Sequence, residues 1–168
     1  VPGKVTVDGP SAAGFVAPLI RNGACICVDA IGIGSSALDF IKGLNLLVLA
    51  VVGSEGSTEF TVAGNLRFRN RRAEMYWRLR ESLDPTAENP IALPPDSELT
   101  TDLAAVRYKV VQMGTHAAIQ IRDKDEIREA IGRSPDKGDS VAMTFVSGIP
   151  KPGIRSGSRR RNAPNWRT

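Results

Sequence analysis

The sequence predicts an α/β domain in which a mixed or parallel sheet is covered by helices. Three observations carry that expectation. Two apolar, strand-length runs, residues 24–29 and 46–52, alternate with helical stretches in the first part of the chain, an order that stacks helices on a sheet. Residues 70–83 place Ala73, Tyr76, Trp77, Arg80 and Leu83 at helical spacing. Residues 106–113 and 117–122 alternate around Gly114-Thr115 as a hairpin does. At 168 residues, 42% hydrophobic and 24% charged, the chain fits one soluble globular domain that buries a core without staples.

The elements follow in order. Residues 1–10 read as extended and turn-rich, and the start at Val-Pro-Gly-Lys without Met reads as a piece of something larger. Ser11 suits the N-cap of a helix reaching to about Asn22, which Pro18 bends or ends early. Gly23 closes it, and residues 24–29 form a buried strand. Residues 31–36 turn into a helix over 36–42, and the second apolar strand follows. Residues 53–64 have no apolar period and read as a loop, with mobility as an option. The helix over 70–83 stops at Asp84-Pro85; Pro94-Pro95-Asp96 opens a shorter one through Leu99 and Leu103. After the hairpin, residues 124–131 form a helix that Gly132 ends. Ser134 then starts a last helix carrying Val141, Ala142, Phe145 and Val146. Residues 1–148 make the domain and 149–168 a basic tail rich in Gly, Pro, Ser and Arg.

Composition excludes several functions. No run approaches the ~18 apolar residues of a membrane helix. Cys25 and Cys27 share one face of a strand, but with a single His they lack the partners of a zinc site. They read as small core residues in a reducing compartment. The net charge of +4 belongs mostly to the tail, where Arg155, Arg159, Arg160, Arg161 and Arg167 stand without an acid.

Chemistry concentrates in a few acids. Asp29 ends a buried strand beside a glycine-rich turn, the usual place for a site in an α/β sheet. It could equally hydrogen-bond the amides of that turn. In Gly132-Arg-Ser-Pro-Asp-Lys-Gly-Asp139, Asp136 suits a helix N-terminus. Asp139 shares a face with Ala142, Met143 and Val146. A carboxylate on an inward stripe needs a partner or a cation, so either an arginine salt bridge or a metal answers it. Two such acids without a Cys/His cluster suit Mg²⁺ or Mn²⁺, as in two-metal phosphodiester cleavage. Arg67, Arg69, Arg71 and Arg72 surround Phe68 and could meet DNA phosphates or form a solvated face. His116 reads as an exposed turn residue, and Tyr76 and Trp77 as core. A rival reading takes Gly32-Ile-Gly34-Ser-Ser-Ala37, with Glu55 beyond the next strand, as a dinucleotide fingerprint. Against it, Asp29 would set a negative charge near the pyrophosphate, and no further strand–helix units follow.

Four blocks taken together carry a resemblance. Val28-Asp-Ala-Ile-Gly-Ile-Gly34, Phe68-Arg-Asn-Arg-Arg-Ala-Glu-Met-Tyr-Trp-Arg-Leu-Arg-Glu81, Ile91-Ala-Leu-Pro-Pro-Asp96 and the 132–139 segment resemble the C-terminal nuclease half of the large terminase subunit of tailed bacteriophages. The resemblance runs from about Val5 to Phe145 in the family's order. It implies an RNase H-like mixed sheet flanked by helices, with acids that hold two Mg²⁺ or Mn²⁺ ions and cut concatemeric double-stranded DNA. It implies Asp29 as the second catalytic acid, Asp139 as the acid of the last helix and Asp136 beside it. An ATPase half, the phage portal and the small terminase subunit are the implied partners, in the cytoplasm of a bacterial host. The family's first catalytic Asp lies on an early strand that this sequence begins too late to include, and Asp8 does not fit it. The domain is therefore expected to lack its first strands. No phosphate-cradling Walker motif is present. The tail, with Arg159, Arg160 and Arg161, suits DNA phosphates or portal docking. A non-catalytic DNA or portal adaptor is the remaining alternative.

Overall fold

A computed structural model of the chain describes residues 8–31 and 34–150. Helix α1 (Gly9–Val16) starts three residues earlier than its sequence signal, because Asp8 is the cap and accepts from the Ser11 amide at 2.8 Å. It gives way at Pro18 to a 3₁₀ turn, Ala17–Leu19, as the missing proline amide requires. Strand β1 (Ile26–Asp29) and strand β2 (Val48–Val51) pair in parallel, Ile26 with Val48 through Asp29 with Val51. Helix α2 (Gly34–Gly43) makes the crossover and packs on α1. Ala13, Ile26 and Ile41 fill the small core beneath them.

The second part is built on helix α3 (Arg71–Leu83), capped by Asn70, which accepts from the Ala73 amide at 2.9 Å. Its inward face, Ala73, Met75, Tyr76 and Leu79, enters the main core with Val51, Phe68, Ile119, Ala142 and Val146. Strand β3 (Arg67–Phe68) precedes it; helix α4 (Ser97–Ala105), capped by Asp96, follows. Strands β4 (Tyr108–Met113) and β5 (His116–Ile121) form the expected hairpin, with Met113 opposite His116 across Gly114-Thr115. The sheet order is β3-β5-β4, parallel between β3 and β5. Among the described residues the strands form a parallel pair, β1-β2, and a mixed three-stranded sheet, since β4 runs antiparallel to β5. The stretch 53–64 is pinned at several points: Glu55 and Gly53 carbonyls accept from the Arg71 and Arg72 amides, and Phe60 bridges to Arg67.

Helix α5 (Lys124–Ile131) ends at Gly132, whose φ of 72° is the left-handed cap glycine adopts without strain. Helix α6 (Asp136–Met143) departs from its sequence signal. Ser134 is not its cap. The Gly138 amide is instead taken by the carboxylate of Asp102, wholly buried on α4, at 3.0 Å. A tertiary acceptor replaces the local one, so the helix starts later. Phe145 and Val146 lie past its end, their backbone amides donating hydrogen bonds to the Ala142 and Met143 carbonyls. No helix of the described residues is long and apolar enough to cross a membrane.

Candidate functional site

A groove of about 1010 Å³ opens between the carboxyl end of β1, the start of α3, the β5–α5 connection and α6. Asp29, Asp136 and Asp139, far apart in sequence, all line it. So do Arg72, Lys124 and Asp123.

Asp139 is the best held of these. Its side chain is 21% exposed. The Tyr76 hydroxyl donates to Oδ1 at 2.7 Å, and Arg72 Nη2 lies 3.5 Å from the same oxygen. Lys124 Nζ sits 2.7 Å from Oδ2. The inward acid therefore has cationic partners, as the arginine alternative required, and a lysine besides. Arg72 is itself positioned by donating to the Arg122 carbonyl at 2.8 Å and by lying 5.1 Å over the Tyr76 ring. Burial, then the neighbouring Asp139 charge, drives the Tyr76 phenol far above its ordinary pKa, so it stays a neutral donor. Asp136 is 80% exposed and reaches Lys124 only at 4.0 Å.

Asp29 is exposed at the strand end, where Oδ1 accepts from the Ile31 amide at 3.2 Å. Gly34 shows why that turn is glycine-rich. A Cβ there would lie 1.6 Å from the Asp29 carbonyl oxygen. The requirement is the chain's own backbone, without any ligand. Glu55 faces Arg71 at 3.7 Å, and Gly32 lies outside the described residues.

The arginines singled out for DNA phosphates have other neighbours. Arg67 lies 4.8 Å over the Phe60 ring, Arg71 pairs with Glu55, and Arg69 is exposed. None of the three lines the groove; Arg72 of the same cluster does. Arg159, Arg160 and Arg161 lie outside the described residues. Sequence reasoning passed over Lys124, Asp123 and the hydroxyl of Tyr76. Lys124 carried no usable signal, because the parallel pairing that marks its strand end is with β3, a strand too short to show periodicity. His116 begins β5, exposed, with Nδ1 2.9 Å from the Thr115 hydroxyl. The cysteines are free and half-buried, and burial pushes the Cys27 thiol up to about 11, which leaves it unreactive.

A metal is testable against these donors. Among the described residues, no three His, Cys, Asp or Glu side chains converge closely enough to hold one. Both Asp139 oxygens are occupied by Tyr76, Arg72 and Lys124. The donor set as arranged does not fit a two-metal centre. What the groove offers is a mixed rim of carboxylates and cations, with Arg72 and Lys124 able to meet an anion.

No family model matches the sequence, and no curated protein matches it. Solved structures do. The nuclease domain of the large terminase subunit gp2 of bacterial virus Sf6 matches with a TM-score of 0.60 and 18% identity, over 82% of this chain and 71% of that one. A mutant of that domain, solved with manganese and beta-thujaplicinol, matches with a TM-score of 0.61 at the same identity and coverage. The likeness is one of fold: this chain has the mixed α/β architecture of the terminase nuclease domain, which is RNase H-like.

Proposed function

We propose that this chain is the nuclease domain of a DNA-packaging terminase of the tailed-phage type, acting on double-stranded DNA in a bacterial host. One observation carries the reading. Asp29, singled out from sequence at the end of a buried strand, and Asp139, on an inward helix face, line a single groove in a chain that folds like a terminase nuclease domain. Asp29, Asp139 and the neighbouring Asp136 are the acids assigned to cleavage. Arg72 and Lys124 are the groups placed to meet the DNA phosphates. The reading calls for Mg²⁺ or Mn²⁺, and the acids as arranged do not assemble that centre. It also implies an ATPase half, the portal and the small terminase subunit as partners.

A second reading has one observation in its favour. With Asp139 neutralised by Lys124 and Arg72, the domain could bind duplex DNA or the portal without cutting. Plasmid relaxation with Mn²⁺, Mg²⁺ or EDTA, run beside a duplex-binding titration, separates the two. Metal-dependent nicking that is lost in Asp139→Asn supports the nuclease. Duplex binding without nicking supports the adaptor. A chain that neither binds nor nicks duplex DNA at low salt sinks both.

A further inference from the structure

A second cavity, of about 480 Å³, lies between α3, the α4–β4 connection and the start of β4. Its walls are aromatic and aliphatic. Trp77 and Tyr108 meet edge to face with centroids 5.0 Å apart, and Leu83, Leu103 and Val106 are among the apolar residues that line it with them. Tyr108 is 51% exposed, so the cavity is open on that side. The rim is charged. Arg80 lies 4.6 Å over the Trp77 ring, so the indole face already accepts a guanidinium. Glu81 fixes that ring by accepting from Trp77 Nε1 at 2.8 Å, and Asp84 accepts from the Thr86 amide and hydroxyl. One oxygen of each acid is left without a hydrogen bond or ion pair among the described residues.

We propose that residues 151–168 of this same chain dock here, Trp166 entering beside Trp77 and Tyr108 and its neighbouring arginines pairing with Glu81 and Asp84. The segment carries one aromatic residue, Trp166, among five arginines and no acid. That is the composition the cavity complements: apolar walls for the indole, carboxylates at the mouth for guanidinium groups. The same carboxylates disfavour a nucleic-acid backbone. Reach is ample. The Ser147 amide donates to Glu74 on α3 at 2.7 Å, and Ile149 packs against the main core. Glu81 lies about 10 Å further along that helix, whereas the stretch from Pro150 to Trp166 spans up to about 50 Å when extended. Tethering supplies an effective concentration on the order of millimolar, enough to fill a weak site.

Hydrogen exchange of the unaltered full chain tests this directly. The proposal expects amides around Trp166 to be protected, and Tyr108→Glu, at a half-exposed position, to remove the protection while the melting transition persists. Fluorescence gives an independent readout, since Trp77→Phe leaves Trp166 as the sole indole. Its emission should be blue-shifted relative to the synthetic 151–168 peptide, unchanged on dilution, and should move back toward the peptide's in high salt. Emission and exchange equal to the free peptide's would overturn the proposal. So would protection indifferent to Tyr108→Glu, or one that fades on dilution and so belongs to a second copy.

Discussion

Single buried or crowded atoms decide much of this structure. Glu74 is the clearest case: wholly buried, it accepts from the Ser57 hydroxyl and the Ser147 amide, both at 2.7 Å, and pairs with Arg78 at 3.6 Å. One carboxylate thus ties α3 to the loop before β3 and to the segment after α6. Glu74→Ala strands a donor on each of those segments and leaves Arg78 without this partner, and should cost about 3 kcal/mol. Glu74→Gln keeps an acceptor and should cost about 1 kcal/mol. Urea denaturation of the two variants checks the order; equal losses would mean that the charge, absent from both, carries the effect and that the acceptor and volume kept by Gln do not. Glycines give a sharper contrast. Gly34→Ala drives a methyl into the Asp29 carbonyl and should cost at least about 2 kcal/mol. Gly14, exposed within α1 with nothing within 4 Å of a built Cβ, should gain about 0.5–1 kcal/mol on replacement by Ala. The same denaturation measurement covers both, and a neutral Gly34→Ala would refute the close approach that shapes the Asp29 turn.

At the scale of elements, α4 and α6 are clasped by charge at the ends that frame the groove. Lys137 Nζ lies 2.7 Å from Asp96 Oδ2 and 2.9 Å from Glu98 Oε2. The lysine, with the Leu99 amide, holds the Asp96 carboxyl below its ordinary value, and Asp96 and Glu98 hold Lys137 above its own. The signs follow. A depressed carboxylate adds stability above its unfolded value, about 3.9, and loses it as pH falls through the folded one. A raised lysine adds stability below about 10.4 and loses it as pH rises through its folded value. Lys137→Met should therefore lower the melting temperature between those limits and converge with the parent toward either extreme. A gap constant across that range would show that the clasp acts through packing. These elements also show what sequence can and cannot disclose. Local signals are legible: the Pro94-Pro95-Asp96 opening of α4, the Gly132 stop and the Gly114-Thr115 turn each depend on residues within a few positions, whereas Asn70, expected inside its helix, is the cap. Strand β3 was missed because two residues carry no periodicity, and Phe68 is buried by its pairing with β5. The start of α6 was misplaced because its acceptor, Asp102, comes from another helix. At the site, the strand end and helix face pointed to acids that line one groove. Their partners Lys124, Arg72 and the Tyr76 hydroxyl were not, since all reach Asp139 through tertiary folding.

Across the whole molecule, the groove is framed by two bodies of unequal depth. Asp29 stands at the end of β1, whose sheet and covering helices enclose a core with, among the described residues, three that are buried, Ala13, Ile26 and Ile41. Asp139 stands on α6, anchored in the main core, which among the described residues has ten that are buried and includes α3 and β5. Burial drives stability roughly in proportion to apolar area, so the α1–α2 side opens at a lower free energy than the α3–β5 side. Its outer surface agrees, with Phe15, Leu19, Phe40 and Leu44 all substantially exposed. Native-state hydrogen exchange should therefore show the amides of α1 and α2 released in a sub-global step well before those of α3 and β5, with β2 intermediate because Val51 reaches into the main core. Release of all four elements in one transition would mean that contacts between the bodies outweigh the difference in their cores. A graded release has a consequence for the site: Asp29 can shift relative to Asp139 without unfolding the domain, so the spacing of the two acids is set by the weaker core. Ile41→Ala, which empties that core without touching the groove, should then weaken duplex binding and any cleavage together, while leaving exchange in α3 and β5 unchanged.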